Sequence, residues 1–179
     1  MSSKIAAEKG FNVLLYVASA LREQRNLYKI LKAIYYADKL HLEKYGRQIF
    51  PQRYQKLDYG NVPADSYDVV THCRGDKSQP RMPDNVKRRL KVEKRDTIKP
   101  LDVPNLDYLS KSEIQCLTVA IEKLRPMDFN AVLKFLHHDD PAYNNDVKLN
   151  KYLSLEEHII PTLKNGEKIL EYLRDPYPA

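Results

Sequence analysis

Near the start of the chain, Leu14, Val17, Ala18 and Leu21 recur three or four residues apart, which predicts a first helix with one apolar face. It opens at Ser2 or Ser3 and runs to about Arg22. Asn26 is placed to cap a second helix, whose stripe begins Leu27, Ile30, Leu31 and Ile34. The same stripe continues onto Asp38, His41, Leu42 and Tyr45, so polar groups enter a face that begins as core. Gly46 suits the left-handed position that ends such a helix.

Beyond it, residues 54–59 read as an extended stretch with Leu57 and Tyr59 on one side. Residues 60–63 (GNVP) read as a turn, and Pro63 as the opening of a short helix through Tyr67 and Val70. Two prolines, a glycine and mixed charges make residues 74–85 a loop. Residues 86–92 and 97–101 then form the arms of a hairpin. Ser110 and Glu113 have capping-box spacing, with Leu109 and Ile114 at the staple positions. The helix they start carries Ile114, Leu117, Ile121 and Leu124 and stops at Pro126. Asp128 caps a further helix with Phe129, Val132, Leu133 and Leu136 facing inward, and Asp140-Pro141 begins a turn. Ser154 and Glu157 repeat the capping spacing before a last helix over about 155–174, which Pro161 kinks or restarts. The expected fold is mainly α within the α+β class. It is a single domain over residues 1–179, with a small antiparallel sheet and a basic loop-hairpin at 74–101.

Composition changes this picture mainly through charge. With 42% hydrophobic and 30% charged residues the chain belongs with globular rather than disordered sequences. No apolar run approaches the roughly 20 residues of a membrane span, and no secretory signal is expected. Cys73 and Cys116 lie outside any CxxC spacing and read as reduced thiols, which places the chain in the cytoplasm. Residues 74–95 hold nine basic and three acidic side chains, so this segment alone matches the formal surplus of +6. The basic side chains include Arg81, Lys87, Arg88, Arg89, Lys91, Lys94 and Arg95. Because the segment contains no aromatic to stack on bases, an acidic protein surface suits it better than nucleic acid.

Candidate chemistry is sparse. His137-His138-Asp139-Asp140 offers metal-ligand types, but adjacent helical side chains diverge by about 100° and no partner sits at a ligand spacing. Asp139 or Asp140 is better read as capping the turn at Pro141. Asp38 and His41, one helical turn apart, could pair as orienting carboxylate and base. No nucleophile elbow, phosphate loop or dinucleotide fingerprint accompanies them, and the pair reads instead as satisfying backbone groups beyond Gly46. No catalytic residue, metal or cofactor is expected. Thirteen tyrosines and no tryptophan favour half-buried surfaces and protein interfaces.

Two blocks carry a family resemblance. One is LKAIYYADKLHLEKYGRQIF followed by YGNVPADSY; the other is LSKSEI with LHHDDPAY. Over about residues 11–145 the chain resembles the Panacea domain family of SocA-like antitoxins, which occur beside toxins and in phage-derived DNA. Against the family pattern it has Asn61 for a proline, His137 near a threonine and Tyr143 for a tryptophan. The resemblance implies a non-enzymatic protein that neutralises a cognate toxin by direct binding. In the SocA branch, the antitoxin is an adaptor delivering its toxin to the ClpXP protease. Carried onto matching residues, it implies a partner face of Asp38, His41, Tyr45, Tyr59, Tyr67, His138, Asp140 and Tyr143. A nucleic-acid-binding regulator acting through residues 74–95 is the alternative, and a hydrolase using Asp38, His41 and the HHDD turn comes last.

Overall fold

The computed structural model describes residues 3–75, 83, 85–94 and 96–175. Its centre is α2 (Leu27–Tyr45), which buries residues around almost its whole circumference, Lys32, Asp38 and His41 among them. Asn26 caps it by accepting the Lys29 N–H at 2.8 Å, and Gly46 ends it at φ 67°. Against it pack α1 (Ser3–Leu21) and α5 (Lys111–Leu124), the helices expected from the first and third apolar stripes. Ser110 and Glu113 form the capping box that their spacing predicts, each side chain bonded to the other's backbone N–H.

The main core joins Leu14, Val17 and Ala18 of α1, Ile30 and Ile34 of α2, and Leu117, Ile121 and Leu124 of α5. A smaller apolar cluster sits at the other end of α2. There Tyr35 and Leu42 meet Tyr54, Ala142, Leu153, Ile159 and Ile169. Among the described residues no helix is long and apolar enough to cross a membrane.

Two small antiparallel sheets flank this helical frame. In the first, β1 (Tyr54–Leu57) lies between β2 (Gly60–Pro63) and β5 (Tyr152–Leu153). Residues 60–63 are therefore a strand and not the turn expected from their glycine and proline. Leu57 pairs with Gly60, and the reversal is made by Asp58 and Tyr59 alone. Gly60 takes φ 104°, and a Cβ there would collide with the Lys32 ammonium and the Leu136 carbonyl, so the glycine serves a close approach. The helix after Pro63 is α3 (Ala64–Arg74).

In the second sheet β3 (Leu90–Glu93) pairs with β4 (Thr97–Pro100), narrower than the expected hairpin. Residues 86–89 form a single helical turn, α4 (Val86–Arg89). That turn buries both Val86 and Leu90, whereas strand alternation from Val86 would also have turned Arg88 inward.

Two further expectations change. Phe129, expected inward, is 46% exposed at the first position of α6 (Phe129–Leu133), while Val132 and Leu136 are buried. A first-turn side chain leans back over the helix start, off the stripe. The last helix over 155–174 is broken into a π turn (Leu155–Ile159), a 3-10 turn (Ile160–Thr162) and α7 (Gly166–Arg174). Pro161 cannot donate to a continuing helix, and Gly166 rests on the Ile160 carbonyl too closely for any side chain. At its start Ser154 accepts the Glu157 N–H, but the Ser154 N–H goes to His158 Nδ1 at 3.1 Å, so the capping box is completed by histidine.

Gly60→Ala is expected to lower the unfolding free energy by about 3 kcal/mol, since it adds backbone strain to a clash with Leu136 O at 2.9 Å. Gly46→Ala has nothing within 4 Å of its new methyl and should cost about 1 kcal/mol from strain alone. Urea titration of the two variants checks the contrast.

Candidate functional site

Asp38 and His41 are fully buried and act on the chain just beyond α2. Asp38 accepts the Ile49 N–H at 2.6 Å, the Gln52 amide at 3.2 Å and the Tyr54 hydroxyl. His41 donates from Nδ1 to the Arg47 carbonyl at 2.8 Å, which fixes the tautomer and leaves Nε2 to accept from Ser112 Oγ at 3.2 Å. Burial holds the His41 pKa below its ordinary value, in keeping with a neutral ring between two neutral partners. Of the backbone groups beyond Gly46, the pair satisfies the Arg47 carbonyl and the Ile49 N–H, while Gln52 and Tyr54 meet Asp38 through their side chains.

Asp140, also buried, plays the same part at the HHDD turn. It accepts from Tyr35 Oη at 2.8 Å, Lys39 Nζ at 2.7 Å and the Ala142 N–H at 3.1 Å. Asn61 bridges the Tyr35 hydroxyl and the Ala142 carbonyl, at 3.2 and 2.8 Å. Beneath them Lys32 donates to the Asn61 carbonyl at 2.9 Å, and burial pulls its pKa down to about 7 against the opposing pull of Asp140. Burial takes Asp38, His41 and Asp140 off the molecular surface, and all three organise the fold. Among the described residues, no three His, Cys, Asp or Glu side chains gather into a cation site.

The polar interior leaves an aromatic arc on the surface around the β1–β2 turn. Tyr59, 61% exposed, meets Phe129 edge to face at 5.7 Å, and Phe129 meets Tyr28 at 4.7 Å. On the other side of the turn His137 Nε2 donates to the Asp58 carbonyl at 3.1 Å. Its ring lies 4.0 Å from that of Tyr143, with His138 at 4.6 Å and the Lys56 ammonium 4.8 Å over the Tyr143 ring. Burial lowers the His137 pKa and raises that of Tyr143. The structure therefore brings together Tyr59, His138 and Tyr143. It sets Tyr67 against the main core and leaves Tyr45 exposed at the far end of α2, about 26 Å along the helix from Tyr28. Tyr28, Phe129 and His137 complete the arc; from the sequence Phe129 was expected in the core, His137 stood out only in the HHDD run, and Tyr28 was not singled out. Their signals were the first helical position after the Asp128 cap and the first turn after Asn26.

The basic segment divides. Lys87, Arg88, Lys91 and Lys94 are exposed, and Lys91 stands opposite Lys99 across the ribbon, both near Glu93. Arg89 is structural: it stacks 4.6 Å over Phe11 and pairs with Glu8 at 3.0 Å and Asp102 at 2.8 Å. Arg81 and Arg95 lie outside the described residues.

The family model of the SocA-like antitoxin, Panacea domain, matches residues 30–142. That interval contains all but the first three residues of α2, the first hairpin, α5 and the turn at Asp140, which are the elements tied together by Asp38, His41 and Asp140. No curated protein and no solved structure matches the chain.

Burial pushes the Asp38 pKa up to about 6, with the bonds from Tyr54, Ile49 and Gln52 opposing it. Between an unfolded value of about 4 and the folded one, the native protein keeps a proton that the unfolded chain has released. Stability contributed by this group therefore falls as pH rises from about 4 to 6 and levels off above that. Unfolding free energies measured across this window should show that slope in the wild-type protein and a flatter one in Asp38→Asn, whatever the variant's overall stability.

Proposed function

Because the chain belongs to the SocA-like antitoxin, Panacea domain family, we propose that it neutralises a cognate toxin by direct contact through the aromatic arc around Tyr59. The observation that carries this reading is the arc itself. The Tyr28, Phe129 and Tyr59 rings touch in series on one side of the β1–β2 turn, and His137, His138 and Tyr143 cluster on the other, tied to it by the His137 bond to the Asp58 carbonyl. Tyrosine and histidine in such an arc offer large contact area at low cost in side-chain freedom, the composition that anchors protein interfaces. A surface of this kind suits capture of a folded partner better than binding of a small substrate.

The adjacent gene, expressed alone, should arrest growth, and co-expression of this chain should restore it. The pair should co-elute as a stable complex. Tyr59→Ala with His138→Ala should weaken that complex at least about tenfold, as loss of an interface anchor does, and leave thermal unfolding near wild type. A harmless neighbour, or rescue without a complex, would remove the proposal. Toxin levels separate the two modes of neutralisation. Sequestration leaves the amount of toxin unchanged, whereas delivery to a ClpXP-type protease lowers it and fails in cells without that protease.

The exposed row of Lys87, Arg88, Lys91 and Lys99 supports a second reading, a nucleic-acid-binding regulator. It requires affinity for duplex DNA that falls steeply with salt and is lost on Lys91→Glu with Lys99→Glu. Filter-binding to duplex DNA at two salt concentrations separates the readings, because toxin capture through the arc requires no affinity for DNA at either.

A further inference from the structure

Beside the arc, at the amino-terminal end of α2, lies a groove of about 530 Å³ between residues 23–29, the β3–β4 turn and the start of α6. The rings of Tyr28 and Phe129 form its apolar wall. The Tyr28 hydroxyl oxygen is buried there with no hydrogen-bond partner among the described residues, and burial pushes its pKa up to about 12. Glu23, Asp96 and Asp128 stand around the mouth, all three exposed. Asp128 caps α6 through the Ala131 N–H at 2.8 Å, while the side chains of Glu23 and Asp96 make no ion pair among the described residues. Among its described lining residues the cation is Lys29, which is held by Gln24 Oε1 at 2.8 Å and the Met127 carbonyl at 2.6 Å. Among the described residues that line the groove, three carboxylates meet one ammonium, on a chain whose formal charge is +6.

We propose that this groove receives an arginine side chain of the partner protein, the guanidinium lying on the Phe129 and Tyr28 rings and bonding to Glu23 and Asp96. The proposal rests on the toxin-binding reading and names the chemistry by which one part of that surface selects its partner. A guanidinium is planar and weakly hydrated, so it can stack on an aromatic face and meet carboxylates edge-on at the same time. An ammonium makes the charge contact without the stacking, and an apolar side chain would leave the three carboxylates facing unrelieved desolvation. The aromatic wall is continuous with the arc through the Phe129–Tyr59 contact, so a partner seated on Tyr59 reaches the groove without a gap.

The test uses the full chain and a blocked Gly-Arg-Gly peptide, with its citrulline counterpart as the neutral isostere. Binding is followed on the Phe129 ring resonances, which stand among only four phenylalanines. The arginine peptide should give a saturable shift that weakens about threefold with each of Glu23→Gln and Asp96→Asn, both at exposed positions. The citrulline peptide should give none. Absence of a saturable shift, or an equal shift with citrulline, overturns the proposal. In the toxin complex, Glu23→Lys with Asp96→Lys should abolish growth rescue where the wild-type chain rescues. Rescue undiminished by that charge reversal overturns the groove as a toxin contact and leaves the toxin-binding reading standing. If the wild-type chain itself gives no rescue, the toxin-binding reading fails, and the peptide titration alone decides whether the groove binds guanidinium.

Discussion

A carboxylate sealed inside the molecule joins α2 to everything that follows it. Asp38 is surrounded by the Ile49 N–H, the Gln52 amide and the Tyr54 hydroxyl, three donors that come from a loop and the first strand. A buried carboxylate without such partners costs several kcal/mol, so the chain beyond Gly46 is held to the one path that delivers all three donors. That path sets where β1 begins, and β1 in turn fixes the hairpin whose turn carries Tyr59. Asp140 repeats the device from the opposite direction, reaching onto α2 to take Tyr35 and Lys39. The Tyr35 and Tyr54 rings meet edge to face at 5.6 Å, so the two carboxylate sites share a wall.

This arrangement has a consequence for function. The polar residues that looked most like chemistry in the sequence are the ones the fold uses up: Asp38, His41 and Asp140 each have their bonding capacity filled by backbone or neighbouring side chains. What they position is a surface of rings. His137 is placed by its bond to the Asp58 carbonyl and by the π turn that re-aims Lys134–His138 at Leu136. Tyr143 is placed by the turn that Asp140 caps. An interior network of this kind holds exposed aromatics in fixed relation, which keeps low the ordering cost of docking.

Local signals in the sequence were strong wherever a cap announced a helix. Asn26, Ser110 and Asp128 each accept the backbone N–H expected of them, and Gly46 ends α2 in the left-handed region. Legibility failed where tertiary packing overrode a local pattern. GNVP carries turn residues, yet its glycine is needed for the close approach of Lys32 and Leu136, and the turn falls on Asp58 and Tyr59 instead. The break before α7 depends on Gly166 resting against Ile160, a contact no periodicity reports. For the candidate site, the family motif mixed buried residues (Asp38, His41, Asp140) with exposed ones (Tyr59, His138), because a motif read along the sequence does not separate a buried carboxylate from an exposed ring. Phe129 was hidden by an i, i+3 stripe to which its first-turn position does not belong.

The electrostatics of the surface are arranged at close quarters. The β3–β4 ribbon carries Lys91 and Lys94 on its way to a turn whose Asp96 belongs to the acidic groove. A basic face and an acidic notch therefore meet at one turn, within the roughly 8–10 Å over which exposed charges act at physiological salt. At longer range the +6 surplus dominates and attracts a partner that is acidic overall. At contact, the proposed guanidinium seat would discriminate among such partners by whether they present an arginine at that spot. Long-range attraction and short-range selection thus have opposite signs, so a uniformly basic protein is repelled before it arrives and a uniformly acidic one leaves the notch unpaired. The combination favours a partner with mixed charge, which is how a single surface can associate quickly and still reject most of what it meets.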